Sequence, residues 1–291
     1  MSERDPAETR TAFRTIAVLT LIPVSALAVF FIWTFFHRPP SSDPPKPEPR
    51  VTKSEPPLQR ESALPPVVPK RPHRGGRIVL IIDDLGFDGQ PLDRVMSLDP
   101  NVNCAILPNS TRASEFAEKL NARGFEILCH LPMEPRGSEA PGRNAILTSM
   151  SDDEIARATR ENLEAVPHAR GVNNHMGSLA TTDRRVMMNV IRALPEGMYF
   201  VDSRTTGGSV AADVAREMNV RTATRNVFLD DVATEAAVRK QLAMLVSAAE
   251  RQGVAVAIGH PHPATMRVLA EALPELRARG FRLVRASEVV R

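Results

Sequence analysis

From Arg77 onward, short apolar runs alternate with longer amphipathic stretches. The runs are RIVLII, NVNCAIL, FEILC, MYFV, NVFL, VAVAI and FRLV, with RGVNNH as an eighth, weaker candidate. Each is four to seven residues long, which suits a strand buried on both faces. The intervening segments have helical spacing. SDDEIARATRENLEAV opens on a capping box, with Ser151 three residues before Glu154. TEAAVRKQLAMLVSAAERQG and PATMRVLAEALPELRARG repeat apolar residues at three and four, and stop at Gly253 and Gly280. Strand then helix, repeated, predicts a parallel sheet, and seven or eight strands suit barrel-like closure.

The N-terminal quarter has a different pattern. Residues 15–36 contain no charge and are long enough to cross a bilayer as a helix. Trp33 with His37 and Arg38 suits an interfacial end. SALAV resembles a signal-peptidase site, but the apolar run continues past it, which favours an uncleaved anchor. Basic residues on both sides leave the orientation open; a short tail before one span and a large domain favours export. Residues 39–76 hold 12 of the 25 prolines, a spacer that cannot build a core. Fully extended at ~3.1 Å per residue it would reach ~120 Å. The expected organisation is a tail over 1–14, an anchor over 15–36, a basic linker over 37–76 and a globular domain over 77–291.

Charge narrows the function classes. The excess of +3 is local: residues 37–77 carry nine Lys and Arg against four Asp and Glu, while residues 78–291 carry 25 against 27. A near-neutral domain with 4% aromatics lacks a nucleic-acid footprint and base-stacking platforms. Cys104 and Cys129 cannot form a disulfide framework; both sit in apolar runs as small buried hydrophobes, and a bridge between them stays open.

The strand ends carry the chemistry. Six apolar runs finish in a carboxylate or an imidazole: Asp83 and Asp84, His130, His175, Asp202, Asp230 and Asp231, then His260 and His262. Four of the seven histidines are in this set, and the ends of parallel strands converge on one face of a βα barrel. His37, His73 and His168 fall outside it. Asp230 and Asp231 precede TEAAV and read as helix caps or surface groups. Carboxylate and imidazole on separate strands suit a divalent metal, with zinc first. Successive strand residues face opposite ways, so Asp83 and Asp84 do not share one ion symmetrically unless a turn re-aims one of them.

IIDDLG, NNHMGS, FVDSRT and AIGHPHP together resemble the divergent polysaccharide deacetylase family, relatives of the NodB-type carbohydrate esterases. The resemblance implies a deformed (β/α) barrel of about seven strands and metal-dependent removal of acyl groups from an envelope or extracellular polysaccharide. It assigns Asp83 as general base, Asp84 as metal ligand, and His260 as general acid with His262 in reserve. Two departures stand out. The usual HxxxH motif reads HLPME here, from His130 to Glu134, so the third ligand is either Glu134 or, preferred, His175 from the next strand. The usual arginine-proline-tyrosine motif is absent, and Tyr199 is the one tyrosine. Two other readings compete: a non-catalytic descendant that binds glycan or envelope partners, and a metal phosphoesterase for which Arg204 is the one good phosphate partner. The sugar, the acyl group and the oligomeric state are not readable.

Overall fold

The structure, a computed structural model, describes residues 75–291. The expected span and all but the last two residues of the linker lie outside the described residues. Among the described residues no helix is long and apolar enough to cross a membrane.

Nine strands form one sheet: β1 (Arg77–Leu85), β2 (Asn103–Ile106), β3 (Glu126–Met133), β4 (Ala169–Met176), β5 (Tyr199–Asp202), β6 (Thr222–Thr224), β7 (Val227–Phe228), β8 (Val254–Gly259) and β9 (Arg282–Leu283). The order is β6-β5-β4-β3-β2-β1-β8-β7, parallel at each pairing. Seven helices flank it: α1 (Leu92–Met96), α2 (Ala113–Ala122), α3 (Asp152–Glu164), α4 (Arg184–Arg192), α5 (Ala211–Glu217), α6 (Glu235–Gln252) and α7 (Pro263–Ala278). The capping box of α3 forms as its sequence requires, with Ser151 and Glu154 bonded reciprocally. Gly253 ends α6 in the left-handed region, where a side chain would be strained.

The sheet curls because its two edge strands are neighbours in the chain. Only Arg225 and Asn226 separate β6 from β7, yet these strands end opposite sides of the sheet. The Arg225 amide donates to Asp202 O at the end of β5, and the Asn226 amide donates to Val256 O in β8. Two consecutive residues thus tie opposite margins together, closing by a crossing what no ladder closes.

Strand alternation then sorts the side chains into two layers. Ile78, Leu80, Ile82, Cys104, Ile106, Ile127 and Cys129 face outward into the helical shell. Val79, Ile81, Ala105, Leu128, Tyr199, Val201, Val256 and Ile258 face inward as a separate apolar core. Both faces are buried, which is why the strands read as unbroken apolar runs. Val284, Ala286 and Val290 join the inner core, so the C-terminal segment floors the barrel. Its Ala286 amide donates to Asn103 Oδ1, and Arg291 and Thr222 exchange backbone bonds. Tyr199 lies in the floor, donating to Glu126 Oε1 at 2.7 Å; a Cβ on its partner Gly171 would collide with the ring.

Over residues 77–291 the expected elements form, with one addition. β6 (Thr222–Thr224) has no apolar run to announce it, because a three-residue edge strand needs little burial. RGVNNH is strand β4, and β9 is the middle of the run FRLV, cut to two residues alongside the lower half of β1.

Candidate metal centre

The inward alternation that builds the apolar core continues upward into polar residues. Above Val79 and Ile81 on β1 comes Asp83; above Leu128 on β3 comes His130; above Val256 and Ile258 on β8 comes His260. On β4 the inward positions are Asn173 and His175. These side chains meet at the mouth of the barrel, in a cleft of about 580 Å³ also lined by Arg225, Phe228 and Met244.

Asp84 should point outward by the same rule, and a turn brings it back. Its φ is 57°, left-handed, and the β1–β2 register slips between Ile82 and Leu85. Aspartate tolerates this region better than most residues. Gln90 holds the turn: its amide nitrogen donates to Asp84 O at 2.6 Å, and its oxygen accepts from the Gly86 and Phe87 amides at 2.8 and 2.9 Å. Both carboxylates therefore reach the cleft from adjacent positions.

Asp84 Oδ1, His130 Nε2 and His175 Nδ1 form a triangle with edges of 3.2, 2.9 and 3.2 Å. Ligands about 2.0–2.1 Å from a tetrahedral ion would stand about 3.3 Å apart. Asp84 Oδ1 is buried, and among the described residues no hydrogen bond is aligned on it despite the two imidazole nitrogens nearby. A buried carboxylate oxygen left in this state is costly unless a cation takes it. Asn173 sets the neighbouring tautomer. Its oxygen accepts from His130 Nδ1 at 3.0 Å, which turns the lone pair of Nε2 into the triangle. The donor set fits a divalent ion.

Around the triangle the two aspartates part ways. Burial pushes the Asp83 carboxyl above its usual range, against the pull of His130 and His260. Burial would raise Asp84 too, but His130 and His175 outweigh it and hold that carboxyl well below the usual range. Asp83 Oδ1 accepts from Asn173 Nδ2 at 2.8 Å, and its Oδ2 lies 3.5 Å from His130 Nε2. His260 Nδ1 donates to Asp230 Oδ1 at 2.9 Å, and its Nε2 lies 3.7 Å from Asp84 Oδ2. Burial opposes charge on His260, but the bond to Asp230 and the Asp83 and Asp84 charges raise it to about 9 in the metal-free protein.

All five site residues expected from sequence, Asp83, Asp84, His130, His175 and His260, come together. Glu134 does not: its Oε2 accepts from the Thr148 amide and hydroxyl, both at 2.6 Å. His262 is exposed beside His260, with ring centroids 5.6 Å apart. Asp202 is spent on its own loop, accepting from the Arg204 amide and the Ser209 hydroxyl. Asp230 corrects the expectation of a cap. It is buried, accepts from the His260 amide and imidazole and from Thr265, and leaves the capping of α6 to Thr234. Arg225 was not anticipated; its guanidinium donates to Ser203 O and Arg204 O and lies 4.9 Å from the Phe228 ring centroid.

Residues 80–290 match the family model described as divergent polysaccharide deacetylase. Over 220 residues the chain is 39% identical to the protein YibQ of Escherichia coli (strain K12), covering 75% of this chain and 69% of that one. A Haemophilus influenzae protein is 34% identical over 201 residues, 69% of this chain and 72% of that one. A crystal structure of a protein from Agrobacterium tumefaciens C58 has the same fold, with a TM-score of 0.72 at 22% identity over 75% of this chain and 90% of that one. The chain belongs to the divergent polysaccharide deacetylase family.

Proposed function

We propose that the protein is a metal-dependent hydrolase that removes acetyl groups from an N- or O-acetylated envelope or extracellular polysaccharide. The observation that carries this reading is the orphaned Asp84 oxygen facing two imidazole nitrogens, with Asp83 and His260 beside it. Asp84, His130 and His175 would hold the ion, zinc first among candidates; when bound, it polarises an acyl carbonyl and makes water more acidic.

Protons are the business of the flanking residues. Asp83, made more basic by burial and oriented by Asn173, takes a proton from the attacking water as its oxygen bonds to the acyl carbon. The carbon–nitrogen or carbon–oxygen bond then breaks. His260 supplies the proton to the departing amine or alkoxide; Asp230 fixes its tautomer and leaves Nε2 facing the cleft. The binder reading drew its support from the incomplete HxxxH motif, and His175 offers the donor atom that HLPME lacks.

The test is acetate release by the purified protein from a panel of N- and O-acetylated glycans, before and after chelation. Chelator-sensitive release is expected. Full metal occupancy with no release from any glycan would leave the binder reading standing. The same proposal puts the domain outside the cytoplasm, tethered through 15–36. A reporter active only in the cytoplasm, fused after Arg291, should then stay silent.

A further inference from the structure

Three clefts adjoin, two at the mouth of the barrel and a third running from it down the wall along α6 toward the floor. The cleft over the metal centre shares Asp84 and His260 with one of about 700 Å³ walled by Phe87 and Pro261. On its other side it shares Asn226, Val227 and Met244 with one of about 600 Å³ along α6. The shared residues put the three end to end, with the metal centre in the middle. One acylated sugar would fill the middle and leave both ends unused.

The ends differ in charge. Along α6 the cleft carries Lys240 and Arg251 and, among the described residues, no carboxylate. Eleven residues apart, they share one helix face and stand about 16 Å apart along its axis. Met244 and Ser247 lie between them. Arg239 on the same helix is consumed by Glu235 and Glu271, at 3.6 and 2.7 Å. Neither Lys240 nor Arg251 has an ion-pair partner among the described residues. The opposite end mixes Asp88 with Arg94 and has no such bias.

We propose that the substrate is an extended, anionic glycan chain, with an acidic substituent held at Lys240 and Arg251 while the acyl group of another sugar sits at Asp84 and His260. The position of the acyl group rests on the deacetylase reading; the charge and length of the chain do not. Two cations in a concave wall focus their field on an anion better than they would on a flat surface. They lie away from the reacting atoms and bind ground and transition state alike, so their effect belongs in KM and Kd rather than in kcat.

The experiment uses the metal-loaded full chain and two β-1,4-linked N-acetylhexosamine oligomers of equal length. One is neutral; the other bears a lactyl carboxylate on alternate sugars. Binding is read by calorimetry and turnover by acetate release. Replacing both cations (Lys240→Ala with Arg251→Ala) should weaken the carboxylated oligomer about five- to tenfold, the scale of two partly exposed ion pairs. The neutral oligomer should be unaffected, and the swap Lys240→Arg with Arg251→Lys should restore binding. Equal loss on both oligomers, or no loss on the carboxylated one, overturns the proposal. Carboxylate-dependent binding without acetate release from either would sink the deacetylase reading and leave this one intact. Equal binding with acetate released from both would do the reverse.

Discussion

Asp83 and Asp84 are neighbours in sequence with opposite electrostatic fates, and that difference supports the roles proposed for them. Asp83 is raised by burial, a condition that favours taking up a proton; Asp84 is lowered by two imidazoles, a condition that favours holding a cation. Asp84→Ala should therefore abolish metal binding and turnover together. Asp83→Asn keeps size and hydrogen bonding and should hold metal while turnover falls ~10²–10⁴-fold. Metal analysis of the two variants checks the contrast, and metal loss in Asp83→Asn would reverse the roles. His260 gives a pH signature in the chelated protein. Its folded value, about 9, exceeds its ordinary 6.5, so its stabilisation is complete below pH 6.5 and is lost as pH rises through 9. Thermal melts of chelated protein should show that decline, and His260→Ala should flatten it. The primary residues were legible because carboxylates and imidazoles at the ends of apolar runs have few other reasons to be there. Asn173 and Asp230 were not assignable, because their partners are set by the fold: Asp83 is 90 residues from Asn173, and His260 is 30 from Asp230.

Strand ends and turns decide whether these side chains meet. β4 supplies His175 two residues above Asn173, both inward, so a polar ladder replaces the apolar one near the mouth. That alternation brings His175 to the site, whereas Glu134 extends past the end of β3 into a loop and is fixed there by Thr148. The turn after β1 is more demanding, since it re-aims Asp84 against the strand period. Three of its hydrogen bonds run through the Gln90 side chain, a residue with no motif to mark it, because what it satisfies is backbone. Gln90→Ala should cost about 1–3 kcal/mol in chemical denaturation. It should also weaken metal binding, since Asp84 is then free to relax outward. A stability loss with metal affinity unchanged would mean the left-handed turn holds without its brace. β6 escaped notice for a related reason: TAT has neither length nor apolar period, and the closure of the sheet, rather than its own composition, makes it a strand.

The molecule separates what holds it together from what it uses. The inner core and the C-terminal floor lie below the mouth, and the helical shell packs outside it; neither depends on Asp84, His130 or His175. The domain should therefore fold without metal, unlike small domains in which the ion replaces a core. The proposed metal would still stabilise by linkage, because only the folded barrel brings donors from β1, β3 and β4 together. At a free concentration 100 times Kd the gain is about 2.7 kcal/mol. In a domain of this size each kcal/mol shifts Tm by roughly 2–4 °C, so chelation should lower Tm by roughly 5–10 °C without abolishing the transition. His175→Ala removes a donor at the end of a strand and nothing from either core. Its melt should resemble that of chelated wild type and should not respond to added metal. If chelation instead erased the cooperative transition, the barrel would depend on its ion for folding, and the division between apolar floor and polar mouth would be wrong. If the His175→Ala melt still rose with metal as far as wild type does, the ion would bind elsewhere than the triangle.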